Sequence, residues 1–170
     1  MALIVEDGSG LANADSYISV ADADTYHLNL GRESSWVDKD DEFKEFSLRR
    51  ATNYMVQFYR LSWKGNRVLA TQKLDWPRQG VVVDSFEIAD DDLPVDIANA
   101  CAELAFKTIG TTPSGVDLAP DLKPKKKRVK VGPIETEFFE SATQSVVYRA
   151  IGGMLAPYIK SGAGNRLVRD

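Results

Sequence analysis

Apolar residues recur at three- and four-residue intervals in four segments, which predicts a mainly α-helical protein. The first segment follows Ser19, a good helix-capping residue, and ends at Gly31. The second spans about 40–61 and is the longest, so we expect it to form the spine of the core. Its apolar and aromatic positions at these intervals are Phe43, Phe46, Ala51, Tyr54, Met55 and Phe58.

Two further helices are expected nearer the carboxyl terminus. Pro94 suits the first turn of an alanine-rich helix that runs to about 109, and the last helix should cover about 143–159. A long connection, about 62–92, separates the second helix from the third. The fold class is therefore a small bundle of about four helices.

One β-hairpin is predicted at about 127–139, where polar and apolar residues alternate on both sides of Gly132-Pro133. A two-residue turn there would place Val131 opposite Ile134. The same register pairs lysine or arginine with glutamate across the strands. The charged pairs are Lys130 with Glu135 and Arg128 with Glu137.

The length of 170 residues fits one domain with arms. We assign residues 1–160 to a single helical domain whose first 18 residues are extended, and 161–170 to a flexible carboxyl-terminal docking arm. Small residues open this arm, and Arg166, Leu167, Val168 and Arg169 follow them. No secretory signal or membrane-spanning run is recognised, and the single cysteine fits a reducing cytoplasm.

The segment Trp76-Pro77-Arg78 within the long connection predicts a structural anchor. Trp76 offers a large apolar ring, Pro77 restricts the residue before it, and Arg78 carries a rigid set of donors. We expect Trp76 to be buried against the helix at 94–109.

The sequence gives little support for a catalytic site or a metal-binding site. His27 is the only histidine, and Cys101 lies in an apolar stripe. Gly8-Ser9-Gly10 resembles the start of a dinucleotide-binding loop but lacks the third glycine. The acidic clusters at 38–42 and 90–92 precede helices, where carboxylates cap free amides. We therefore expect no enzyme activity, no metal and no cofactor.

The basic run at 123–130 is the strongest local concentration of charge. The chain as a whole carries 21 basic and 25 acidic residues, which argues against a surface that coats nucleic acid throughout. The run either faces DNA or faces solvent or a neighbouring subunit, and cross-strand glutamates would reduce its positive potential. The nearby aromatic residues lie on the acidic strand, so they do not suggest a stacking surface. The basic residues are Lys123, Lys125, Lys126, Lys127, Arg128 and Lys130.

Several motifs in order along nearly the whole chain resemble those of one known family. They are residues 2–10 with 13–17, 19–24, Arg50-Ala51-Thr52, Trp76-Pro77-Arg78, Leu93-Pro94, 129–135 and 166–169. Together they resemble the head–tail adaptors, or connectors, of the tailed-bacteriophage neck. This family is often labelled DnaT-like single-stranded-DNA-binding.

The resemblance implies a structural protein that forms a ring of twelve copies beneath the portal. Such a ring would extend the channel for double-stranded DNA, without sequence specificity, and would dock the next neck or tail component. It would be assembled in the cytoplasm of the bacterial host and reside in the virion neck. The resemblance also implies that the arm at 166–169 reaches the portal. The alternative is a single-stranded-DNA-binding replication accessory protein.

Overall fold

The computed structural model describes residues 2–108, the backbone of two strands at 128–131 and 134–137, and residues 148–160. Within them the predicted mainly helical fold with a hairpin is confirmed. The helices are α1 Val20–Asn29, α2 Asp41–Tyr59, α3 Val95–Thr108 and α4 Arg149–Leu155. A π-helical turn, Glu33–Val37, lies between α1 and α2, and a 3-10 turn, Ala156–Tyr158, follows α4.

Helices α2 and α3 form the central pair, and α1 and α4 both pack against α3. Small buried residues on α3, including Ala102 and Ala105, let its neighbours approach closely. At the α2–α3 interface the Cys101 thiol lies 3.2 Å from the Thr52 hydroxyl. Burial raises the pKa of this thiol, which keeps it protonated.

Ser19 caps α1 as expected, because its side-chain oxygen accepts a hydrogen bond from the Asp22 amide at 3.0 Å. The predicted bounds of the first three helices agree with the structure to within two residues. Of the last helix, predicted at 143–159, residues 143–147 lie outside the described residues, and α4 covers Arg149–Leu155. It begins at Arg149 because Tyr148 has non-helical angles, and Pro157 lies in the 3-10 turn that follows it.

The hairpin register is confirmed: β5 (Arg128–Val131) pairs antiparallel with β6 (Ile134–Glu137), with Val131 opposite Ile134. Two further strand pairs lie within the long connection, one of them at the valine run 81–83, which alone in this region has a β-like sequence. β1 (Asn66–Arg67) pairs with β2 (Arg78–Gln79), and β3 (Val82–Val83) pairs with β4 (Phe86–Glu87). A two-residue turn at Asp84-Ser85, both with positive φ, joins β3 to β4.

The expectation that the apolar and aromatic positions predicted for α2 all belong to the core is confirmed for Ala51 and Met55 but wrong for the three phenylalanines. Phe43, Phe46 and Phe58 are 46%, 51% and 58% exposed instead of buried. The helix buries a stripe that includes Leu48 together with Ala51 and Met55 of the predicted set, because that stripe faces α3. Three- and four-residue spacing fits both stripes, so the periodicity identified the helix without identifying its buried face.

The amino-terminal segment is extended and lies against the body. Val5 and Ser16 form a parallel bridge, and the Glu6 amide donates to the Ser16 carbonyl at 2.9 Å. Ala14 and Tyr17 of this segment are buried in the core. This position brings Asp15 close to α2.

Candidate nucleic-acid interface

The side of α2 that faces away from α3 combines aromatic rings with arginine and amide side chains. We call this set the α2 outer face. All of its members are exposed or partly exposed. They are Phe43, Phe46, Arg49, Arg50, Asn53, Tyr54, Gln57 and Phe58.

The sequence from Phe46 to Leu74 contains no acidic residue, although Asp41, Glu42 and Glu45 precede it on α2 and the whole chain has a net charge of −4. Six basic residues fall in the same stretch. They are Arg49, Arg50, Arg60, Lys64, Arg67 and Lys73. A local excess of positive charge on an acidic protein is what contact with phosphates requires.

The aromatic rings present flat surfaces at different orientations. Tyr54 and Phe58 stack on each other with their centroids 5.3 Å apart and an interplanar angle of 8°. The edge of Tyr148 meets Tyr54 at 5.9 Å. Phe46, one turn before Arg50, is half exposed. Exposed rings interleaved with arginines are the combination on which unpaired bases stack.

Carboxylates from outside the acid-free stretch hold several of its basic side chains in place. Arg49 lies 3.6 Å from Asp15 and 3.2 Å from Glu45. Lys73 donates to Asp15 at 2.7 Å. The hydrogen bond from Lys73, together with the charge of Arg49, lowers the pKa of the Asp15 carboxyl. Asp15 is therefore ionised at neutral pH and offsets part of the positive charge.

A groove of about 390 Å³ opens beside the outer face, between α2 and the amino-terminal segment. Its polar lining comes from Asp15, Arg49, Arg50, Thr52, Asn53 and Lys73. Because Arg49, Arg50 and Asn53 belong to both features, the groove is continuous with the α2 outer face.

The Trp76-Pro77-Arg78 segment lies near the carboxyl end of α2, where Trp63 packs between Tyr59 and Trp76. Trp76 is fully buried, with its ring edge-to-face against Trp63 at 5.9 Å and against Tyr158 at 5.7 Å. The Tyr158 hydroxyl is 3.0 Å from the Asp96 carboxylate, which links this cluster to α3.

Arg78 is also buried and donates to three backbone carbonyls: Lys64 at 2.6 Å, Gly65 at 2.7 Å and Asp75 at 3.0 Å. A charged side chain that ties three carbonyls together fixes the loop around it. In the described part of the chain, the segment therefore positions other residues and presents little surface of its own.

Asp75 is a fully buried carboxylate with neither oxygen hydrogen-bonded, although Arg60 lies 3.4 Å away. Desolvation raises the pKa of this carboxyl, and the charges of Arg60 and Arg78 act in the opposite direction. Arg60 is half exposed and extends the α2 outer face. Its contact with the buried Asp75 carboxylate fixes its position there.

The Gly8-Ser9-Gly10 loop does not offer its amides to a phosphate. The Glu6 carboxylate accepts hydrogen bonds from the Gly8, Gly10 and Leu11 amides at 3.1, 2.8 and 3.0 Å. An internal anion therefore occupies the position that a phosphate would need.

His27 is buried in a structural network. Its Nε2 lies 3.2 Å from the Ala102 carbonyl and its Nδ1 3.2 Å from the Arg32 guanidinium, which also pairs with Glu103. Burial lowers the pKa of this histidine and favours its neutral form. Among the described residues, no group of three or more His, Cys, Asp and Glu side chains could hold a metal ion.

Most of the residues that the sequence indicated for DNA or portal contact cannot be placed on this surface. Lys123, Lys125, Lys126 and Lys127 lie outside the described residues, as do Arg166, Leu167, Val168 and Arg169. Arg128 and Lys130 are described only as backbone in β5. Their proposed roles stay predictions.

Sequence reasoning missed the α2 outer face because it assigned the aromatic residues to the core. The signal was present in the sequence, since the acid-free stretch from 46 to 74 is visible without a structure. What the sequence did not show is that Phe46 and Phe58 lie on the same exposed side as Arg50.

No helix in the described ranges is long and apolar enough to cross a membrane. A comparison with curated proteins finds no match, and neither does a comparison with solved structures. A family model described as "Putative DnaT-like ssDNA binding protein" matches residues 1–170, the full length of the chain. The chain therefore belongs to the DnaT-like ssDNA-binding protein family.

Proposed function

We propose that this protein binds single-stranded DNA without sequence specificity and without catalysis, through the α2 outer face. The observation that carries the proposal is the coincidence of exposed aromatic rings with arginines in a stretch free of acidic residues. The family description is in keeping with this ligand.

Base stacking and phosphate contacts would contribute differently to the affinity for single-stranded DNA. Each base that stacks on an aromatic ring contributes about 1–3 kcal/mol, whatever the base, because every base has a flat face. Arg50 and Arg60 flank Tyr54 and Phe58 along the helix and would contact the phosphates between stacked bases. Such contacts make the affinity depend on salt and not on sequence.

The aromatic rings favour a single strand over a duplex. In double-stranded DNA the base faces are stacked on each other, so Phe46 and Phe58 would have no base face to contact. A replication accessory protein that holds an exposed strand would use this preference.

Fluorescence anisotropy with a labelled oligothymidylate tests the proposal. We expect a micromolar or tighter Kd at about 50 mM salt and at least a tenfold weaker one at about 200 mM. A duplex of the same length should bind more weakly at each salt concentration. Equal affinity for the duplex would contradict the aromatic part of the proposal, and absence of binding at low salt would contradict all of it.

A second candidate function is the phage head–tail adaptor, a structural protein of the virion neck. Large apolar side chains away from α2 are also exposed and would suit contacts with other protein subunits. They are Leu28, Leu30, Val82, Phe86 and Val95. In this role, copies form a ring beneath the portal, surround double-stranded DNA and dock the next neck component, and the arm at 161–170 contacts the portal.

Light scattering and co-purification with portal rings distinguish the adaptor. A ring-forming protein should give a multiple of 18.8 kDa in solution or on the portal. Deletion of 162–170 should abolish portal binding and leave the melting temperature unchanged. A protein that stays monomeric, does not bind the portal and binds single-stranded DNA tightly would contradict the adaptor role and support the replication role.

A further inference from the structure

Three arginines near the carboxyl end of α2 surround the buried Asp75 carboxylate. Arg60 Nε lies 3.4 Å from an Asp75 oxygen. Arg67 and Arg78 are direct partners in the β1–β2 pair, so their side chains point to the same face. The charges of all three arginines oppose the rise that burial causes in the pKa of the Asp75 carboxyl. The cluster therefore places three positive charges around one negative charge.

Neutral groups accept the other hydrogen bonds of this cluster. Arg78 donates to three backbone carbonyls, and Arg67 donates to the carbonyls of Gln72 at 2.9 Å and Ala70 at 3.3 Å. A carbonyl accepts a hydrogen bond but carries no formal charge, so these contacts do not neutralise the arginines. In the described part of the chain, Asp75 is the only carboxylate that forms an ion pair with this cluster. An excess of two positive charges follows.

The excess charge is accessible from solvent. Asp75 and Arg78 are buried, whereas the Arg60 side chain is 49% exposed and Arg67 is partly exposed. The contact between Arg60 and Asp75 uses Nε, and the two terminal nitrogens of the same guanidinium can donate to a second anion. An anion that approaches from solvent therefore meets Arg60 and Arg67 without displacing the Asp75 carboxylate.

The arginine cluster continues the α2 outer face at the end where the helix stops. Phe58 precedes Arg60 by two residues and stacks on Tyr54. Leu61, which is 89% exposed, follows Arg60 and adds apolar surface beside it. A strand whose bases stack on Tyr54 and Phe58 would therefore bring its next phosphate to the cluster.

We propose that Arg60 and Arg67 together bind one phosphate group of the DNA strand, and that the buried Asp75 carboxylate holds Arg60 in place for it. We call this pair the arginine subsite. It rests on the proposed single-strand binding and deepens it, because it carries the path of the strand from α2 onto β1. A phosphate between the two arginines would also offset the repulsion between Arg67 and Arg78.

The salt dependence of oligothymidylate binding separates this phosphate contact from stacking. Arg60→Gln and Arg67→Gln should each weaken binding about three- to tenfold. The double variant should lower the magnitude of the slope of log affinity against log salt by about 0.7, the value for one phosphate of a single strand. Phe58→Ala should weaken binding and leave the slope unchanged, because it removes a ring and no charge.

A double lysine variant is the matched control for the loss of two positive charges. Lys39→Gln with Lys107→Gln changes two exposed lysines outside the α2 outer face and the arginine subsite. Because salt screens charges that do not contact the strand, this control should bind within about twofold of the unmodified protein. Melting temperatures show whether any variant has lost its fold.

Chemical modification locates the contact in the unmodified protein, so it decides the matter even if the arginine variants unfold. Phenylglyoxal reacts selectively with arginine side chains, and mass spectrometry identifies the modified residues. Bound oligothymidylate should protect both Arg60 and Arg67. Arg32, whose side chain is 27% exposed and pairs with Glu103 of α3, should stay as reactive as in the unbound protein.

The outcomes separate the arginine subsite from the proposed function. If oligothymidylate binds but protects neither arginine, and the double arginine variant matches the double lysine control, the subsite is overturned and single-strand binding stands. Protection of Arg60 without Arg67 also overturns the subsite, because the strand then stays on α2. If the unmodified protein does not bind oligothymidylate, the proposed function fails and the subsite fails with it.

Discussion

The aromatic residues around α2 fall into two groups that differ in their surroundings. Tyr59, Trp63, Trp76 and Tyr158 form a buried chain of rings with centroids 5.6–5.9 Å apart. Phe43, Phe46 and Phe58 are half exposed on the outer face. Phe58 and Tyr59 are neighbours in sequence, yet one is 58% exposed and the other 9%. The buried group holds the fold together, and the exposed group is left for a ligand.

The buried group should show the largest effect on stability. Trp76→Ala removes a fully buried ring and should lower the free energy of unfolding by about 3–5 kcal/mol. Chemical denaturation measures this loss. A variant as stable as the unmodified protein would show that Trp76 does not stabilise the core, which would contradict the distinction between the buried and the exposed aromatic groups.

The exposed group should show the reverse pattern. Phe46→Ala and Phe58→Ala should each change stability by no more than about 0.5 kcal/mol. Each should weaken oligothymidylate binding by about 1–3 kcal/mol, or roughly five- to 150-fold, if its ring stacks on a base. Phe86→Ala, which removes a still more exposed ring from β4, is the control and should bind normally.

The sequence predicted the helices and the hairpin well because these depend on local patterns. Ser19 capped α1, and the alternation around Gly132-Pro133 gave the pairing of Val131 with Ile134. The buried side of α2 depends on where α3 packs, which local spacing does not specify. The same limit hid the groove, since Asp15 and Lys73 are 58 residues apart in sequence.

The buried Asp75 carboxylate, which contacts the half-exposed Arg60, should make the stability of the protein depend on pH. Its folded-state pKa is raised by burial, so the folded state binds this proton more tightly than the unfolded state. Its contribution to stability is therefore unfavourable above the folded pKa and is relieved as pH falls toward its ordinary value of 3.8. Asp75→Asn should stabilise the protein at pH 7.5, and the gain should shrink toward pH 4.

Melting temperatures of both proteins between pH 4 and pH 7.5 check this expectation. A variant that is less stable at pH 7.5 would show that the contact between Asp75 and Arg60 outweighs the cost of burying the charge. Weaker DNA binding by the same variant would show that Asp75 positions Arg60 for the strand.

The smallest expected effect is in the hairpin. Arg128 lies opposite Glu137 in the register of β5 and β6, and such opposite-charge pairs contribute about 0.2–1 kcal/mol. A double-mutant cycle with Arg128→Glu and Glu137→Arg should give coupling in this range. Zero coupling would mean that these charges face other molecules, which would favour the basic run as the DNA contact.

Photocrosslinking with an oligonucleotide that carries 5-iodouridine tests most directly whether the α2 outer face binds single-stranded DNA. Mass spectrometry then identifies the crosslinked residues. We expect Phe46, Tyr54 or Phe58 among them, and loss of those crosslinks when unlabelled oligothymidylate competes. Crosslinks confined to the basic run at 123–130, with none in α2, would contradict the central claim.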